Sequence, residues 1–228
     1  MGSVVPESVP SGQAYELSLP WGPVMRGVLW GRGEPRVVFL HEPGGEIDLD
    51  HWGDLPRRFA TLLDAPAIVL DLPGHGLSDD PWEPGRLPEI VAAAIAEIAS
   101  EQPLLFVAAA ESATAVLEAA AKQAILAVAA LSATPGATES TLQRSPATAK
   151  LFFAGAQDGE SLADSRRLAS TLGGWTVVTS IPTDARGTEM LTTEWGPRLR
   201  EHIIAFARDV LFRQVASLPS RRHPIPNR

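Results

Sequence analysis

The sequence predicts an α/β protein: a mostly parallel, twisted sheet with helices on both faces, entered through an antiparallel β-hairpin. Three observations lead there. Short apolar runs recur along the 228 residues, and they alternate with longer segments whose apolar residues fall at helical spacing. Such alternation closes into a parallel sheet, because each crossover between strands lays a helix against one face. At the front of the chain two extended segments, 15–19 and 24–30, flank the turn Pro20-Trp21-Gly22-Pro23 and read as a hairpin.

The remaining elements follow in order. Residues 37–41 form a short apolar run of the kind buried inside a parallel sheet, 51–63 read as a helix and 67–70 as a strand. Residues 87–100 repeat Ile and Ala at helical spacing with Pro88 in the first turn, where its missing N–H is harmless. A strand over 104–108, a small-residue helix over 112–123 and a strand over 125–131 come next. Strand, helix, strand and helix over 151–154, 161–172, 175–181 and 197–212 complete the pattern. The polar stretch 132–149 is too short for an independent lid, so no cap domain is expected. Residues 1–12 are expected as a disordered leader, 13–216 as a single domain and 217–228 as a flexible tail.

Bulk chemistry narrows the function classes. Hydrophobic residues make up 45% and charged residues 20%, the balance of a chain that buries a core. A net charge of -8 and a pI near 5.1 speak against nucleic acid or anionic lipid as partners, since phosphate binding needs clustered positive charge. Without cysteine there is no disulfide framework, thiolate nucleophile or cysteine metal site. The start MGSVVPESVPSGQ lacks the basic and apolar regions of a secretory signal. No run approaches the roughly 20 apolar residues of a membrane helix; Glu97, Glu101, Glu111 and Glu118 interrupt the alanine-rich stretches. A soluble, cytoplasmic protein is expected, and two lysines, Lys122 and Lys150, against 17 arginines suggest a GC-rich bacterial genome.

The stretch LDLPGHGLSDDPW, residues 70–82, resembles the loop after the fourth strand of alpha/beta-hydrolases, where Asp-x-Pro-Gly-His-Gly-x-Ser recurs. Gly74 and Gly76 suit a tight turn, and His75 is expected to hold that loop by hydrogen bonds rather than perform chemistry. Upstream, FLHEPGGEID resembles the His-Gly loop that supplies an oxyanion-hole amide in this family. Downstream, AGAQDG puts Asp158 after a strand, where these folds keep their catalytic acid. The segment TDARGTEML and the helix after it resemble the histidine loop and last helix of cap-less esterases. The resemblance covers almost the whole chain and implies a cap-less alpha/beta-hydrolase fold related to small serine esterases.

The same alignment leaves the catalytic triad incomplete. A serine hydrolase needs a hydroxyl on a strained strand-to-helix elbow between small residues. In VAAAESATAVL the family register puts Ala110 in that slot, and a methyl group cannot attack a carbonyl. A register shifted by two would make Ser112 the nucleophile, with Ala110 and Thr114 as its small neighbours. Glu111 is a carboxylate candidate in principle, although an acidic residue in a first helical turn is also simply favoured by the helix dipole. The histidine slot holds Arg186, whose guanidinium stays protonated and takes no proton from a serine. The five histidines are His41, His51, His75, His202 and His223; His202 is nearest that slot but lies within the terminal helix, where packing is expected.

The oxyanion loop departs too. His41 and Glu42 stand where the family has His-Gly, and the next residue, Pro43, has no N–H to donate; Gly44 or Gly45 could substitute if the loop were displaced. Asp158 alone is retained, and an ion pair between Arg186 and Asp158 is expected in place of the histidine-aspartate hydrogen bond. Three readings remain open. One is a non-catalytic protein binding a small molecule or protein partner in a cleft over Ala110, with Trp52 and Trp82 as walls unless they pack in the core. Another is a carboxylic-ester or acyl hydrolase using Ser112, Asp158 and an unusual base such as His41 or water. The third is an interaction subunit of an assembly. No zinc-type histidine pair, phosphate-binding loop or dinucleotide fingerprint occurs, so neither metal nor cofactor is expected.

Overall fold

A computed structural model describes residues 11–98, 102–134 and 145–217; the segments expected as leader and tail lie almost wholly outside these, as does much of the stretch 132–149. Eight strands form one sheet: β1 (Gln13–Ser18), β2 (Val24–Trp30), β3 (Val37–Leu40), β4 (Ala67–Leu70), β5 (Leu104–Ala109), β6 (Ile125–Leu131), β7 (Ala149–Gly155) and β8 (Thr176–Ile181). Their spatial order is β1-β2-β4-β3-β5-β6-β7-β8. The hairpin β1–β2 and the β2–β4 junction are antiparallel, and every other pairing is parallel. Among the described residues five α-helices pack on them: α1 (Leu55–Leu62), α2 (Leu87–Ile98), α3 (Ala110–Ala119), α4 (Gly159–Leu172) and, after the last strand, α5 (Gly196–Ser217).

The central strands β3 to β7 are buried on both faces, and their period of two divides the core. Val38, Leu40, Phe106 and Ala108 join Val91, Ala94, Val116 and Leu168 under α2, α3 and α4. Their neighbours Val37, Phe39, Leu105 and Val107 pack with Phe59, Leu199, Ile203 and Ala207 under α1 and α5. Near-continuous apolar runs are what a strand covered on both sides needs. Among the described residues no cap domain is inserted, and no helix is long and apolar enough to cross a membrane.

Some boundaries differ from the periodicity. The helix expected over 51–63 is split into a 3-10 turn, Leu49–Trp52, and α1, because Gly53 between them takes φ 59. The helix α3 begins at Ala110 rather than Ser112, which bears directly on the elbow. On β7, Lys150 is fully buried, and its ammonium donates to the carbonyls of Ser145, Thr148 and Gly173 at 2.6, 2.7 and 3.0 Å. Burial lowers its pKa to about 8.

Candidate functional site

Ligands of open parallel sheets bind beyond the carboxyl ends of the strands, where neighbouring crossovers leave in opposite directions. The chain from β3 turns into α1 beneath one face of the sheet, and that from β5 into α3 on the other. The loop after β3 and the turn after β5 therefore meet at one end of the sheet, with the ends of β7 and β8 on the same side.

The β5–α3 turn fixes the register. Ala109 is extended (φ -119, ψ 144), and Ala110 follows at φ 44, in the left-handed region that side chains disfavour. Such a conformation costs on the order of 1–3 kcal/mol and persists only where its surroundings impose it. The strained elbow is thus present, and its apex carries a methyl group. Ser112 is two residues further on, inside the first turn of α3, fully buried, with its hydroxyl donating to the His41 carbonyl at 2.7 Å. The shifted register with Ser112 at the apex is not the one adopted. Run of alanines, Ala108 to Ala110, hid that choice in the sequence. Glu111 is exposed in the same first turn.

The loop after β3 is tied inward. Buried His41 places Nδ1 2.7 Å from the Glu42 carbonyl, and its Nε2 accepts from the Leu72 N–H at 3.1 Å. That pattern requires the Nδ1–H tautomer, with the other lone pair already used. Burial lowers the His41 pKa to about 4, so the ring is neutral, yet it has no free nitrogen to act as a base. Pro43 offers no N–H. The Gly44 N–H donates to His75 Nε2 at 2.9 Å and is thereby already engaged, which corrects its candidacy as an oxyanion donor. The Glu42 carboxylate is buried and reaches the loop after β8, where its Oε1 accepts from both the backbone N–H and the hydroxyl of Thr188 at 2.9 Å. A side chain on Gly187 would collide with that carboxylate, and Gly187 is at φ 54. Nothing in the sequence signalled this contact, because its partners stand 146 positions apart.

At the ends of β7 and β8, Asp158 caps α4 by accepting from Ser161 N–H at 3.3 Å. Arg186 grips it at two points, with Nη2 donating to Oδ1 at 2.8 Å and Nε 2.5 Å from Oδ2. A further contact runs from Nη2 to Glu160 at 3.3 Å. The Asp158 hydrogen bond raises the Arg186 pKa further, so this slot holds a permanent cation.

The two tryptophans separate. Trp52 is fully buried, edge-on to Phe39 at 5.3 Å, and cannot wall a cleft, which corrects that expectation. Trp82 is half-buried and meets His75 edge-on at 5.4 Å. His75 itself places Nδ1 2.9 Å from the Pro73 carbonyl while Nε2 holds Gly44. His202 stacks on Phe153 at 6.4 Å.

No protein-family model matches the chain, and no curated protein does. Solved structures do. A predicted CIB-like hydrolase from Thermoplasma acidophilum superposes with a TM-score of 0.68 at 12% identity, over 88% of this chain and 99% of that one. Alpha/beta hydrolase domain-containing protein 10 from mouse gives 0.70 at 12% identity, over 89% and 99%. A Pyrococcus furiosus esterase gives 0.66 at 10% identity, over 92% and 95%. With the strand order and the elbow, these define the class: the chain has the alpha/beta-hydrolase fold.

Proposed function

We propose that this is a non-catalytic protein on the alpha/beta-hydrolase fold, which binds a small molecule or a protein partner at the carboxyl ends of its parallel strands. The observation that carries the reading is Ala110 at the apex of the elbow, at φ 44, where serine chemistry needs a hydroxyl. Arg186 paired with Asp158 supports it, since a guanidinium cannot relay a proton. Pro43 and the engaged Gly44 amide weaken the oxyanion hole, and loss of one such donor typically raises the barrier by about 2.7–4 kcal/mol. On this reading the protein is cytoplasmic, Ser112 is a structural hydroxyl and Asp158 serves as a cap and ion-pair partner.

The alternative, a carboxylic-ester or acyl hydrolase acting through Ser112, needs that buried hydroxyl to leave the His41 carbonyl and reach a substrate. A fluorophosphonate probe and short-chain nitrophenyl esters, applied to the wild type and to Ser112→Ala, separate the two. The expected result is no labelling and no turnover above heat-denatured protein in either. Labelling and hydrolysis that disappear with Ser112→Ala would establish the hydrolase instead.

A further inference from the structure

The two edges of the sheet are built differently. On β1 the edge carries Glu16, which pairs with Arg26 of β2 at 3.1 Å, so an incoming strand meets charge. On the far side, among the described residues, β8 has β7 as its one hydrogen-bonded neighbour. Its sequence, Thr-Val-Val-Thr-Ser-Ile, contains no charge, no proline and no glycine. Charge and proline are devices by which proteins blunt a strand edge, and the sequence of β8 carries neither. β-Branched residues at five of the six positions also favour an extended partner.

Apolar side chains lie beside that edge, with one guanidinium stacked over them. Alternation puts Val177 and Thr179 on the same face as buried Ile181, the face covered by α5. Trp175, just before the strand, lies on that side as well, 5.6 Å from Phe206 and beneath the Arg213 guanidinium at 4.4 Å. Yet Val177 remains 40% exposed and Trp175 37%. Strand edge and apolar stripe are thus continuous.

We propose that β8 is the interface of a two-fold symmetric dimer, in which the β8 strands of two copies pair antiparallel and extend the sheet across the axis. A second copy is the partner that necessarily presents a strand of equal length and equal neutrality, so self-pairing opposes no like charges. The axis also brings the Trp175–Val177 stripe of each copy against its mate, adding the apolar area that a strand ladder alone lacks. Growth stops at two, because β8 is consumed and the charged β1 edge remains at both ends. This interface is independent of whether the candidate site is catalytic.

The test is the mass of the full 228-residue protein in solution, by sedimentation velocity over a concentration series, for the wild type, Val177→Lys and Thr179→Lys. The expected wild-type species has twice the 24.3 kDa of one chain. Either lysine sets ammonium groups together at the axis and shifts the population to single chains, with circular dichroism unchanged. Two positions are used so that one misfolded variant does not decide the matter. A wild type at 24.3 kDa at every concentration overturns the proposal, whether residues 218–228 cover the strand or nothing does. So does a dimer that both lysine variants leave intact, or an assembly larger than two.

Discussion

The loop after β4 and the elbow after β5 lie at the same end of the sheet, and both resemble parts of the alpha/beta-hydrolase pattern, but only one retains its residue types. In the β4 loop buried Asp71 accepts from the N–H groups of Leu49 and Leu77 at 2.7 and 2.9 Å. Ser78 donates to the Asp71 carbonyl at 2.8 Å, and His75 holds the Gly44 amide. Each motif residue there ties one segment of backbone to another. At the elbow and the loop after β8, the slots that would move protons hold Ala110 and Arg186. The difference teaches that the parts of this pattern that hold backbone and the parts that perform chemistry are separable, since the first satisfy buried polar groups whether or not a reaction occurs.

If that division is right, the motif loop carries more stability than the elbow and the Arg186–Asp158 pair. Asp71→Ala strips two backbone donors of their acceptor and should lower unfolding stability by on the order of 4 kcal/mol, at about 1–3 kcal/mol per unsatisfied group. Urea denaturation measures it. A loss below that of the Asp158 variant described below would break the comparison.

Acidification probes the same region through His41. The folded-state pKa of about 4 lies below the ordinary 6.5, so between these values the unfolded chain binds more protons than the folded one. Stability is therefore complete above pH 6.5 and falls as the pH drops toward 4, by about 3 kcal/mol in all at 1.36 kcal/mol per unit. Asp71, 3.8 Å from the ring and raised by burial, acts with the opposite sign at the acid end and trims the loss. Urea midpoints of the wild type at pH 7 and 4.5 should differ, and His41→Gln should flatten that difference. An equal slope in the variant would show that other groups set it.

The smallest effects belong to the ion pair. Arg186 is half exposed, so Arg186→Ala should cost under about 1 kcal/mol, as for other solvated pairs. Asp158→Ala also removes the cap on α4 and should cost about 1–2 kcal/mol. Thermal unfolding that reversed this order would mean that the arginine braces more than its visible contacts.

The sequence made the sheet legible because burial on both faces writes itself as apolar runs, and the hairpin because Gly22 and two prolines punctuate it. Arg186 could be matched to Asp158 by slot. The elbow register could not be read, because the alanines around Ala110 are chemically alike and only the backbone angle distinguishes them. Trp52 was ambiguous for a related reason: an aromatic residue before a helix suits a core and a cleft wall equally. The Glu42–Thr188 and Arg26–Asp79 contacts depend on folding together segments far apart in the chain, and no local pattern encodes them.

Lys150 gives the protein a chemical clock. The chain has only two lysines, and Lys122 is exposed on the surface while Lys150 sits among three carbonyls. An amine-directed reagent should acylate Lys122 at once and reach Lys150 only when β7 parts from the turn after α4. The lag between the two in a peptide map reports how readily that corner of the sheet opens, read from amines the sequence already carries.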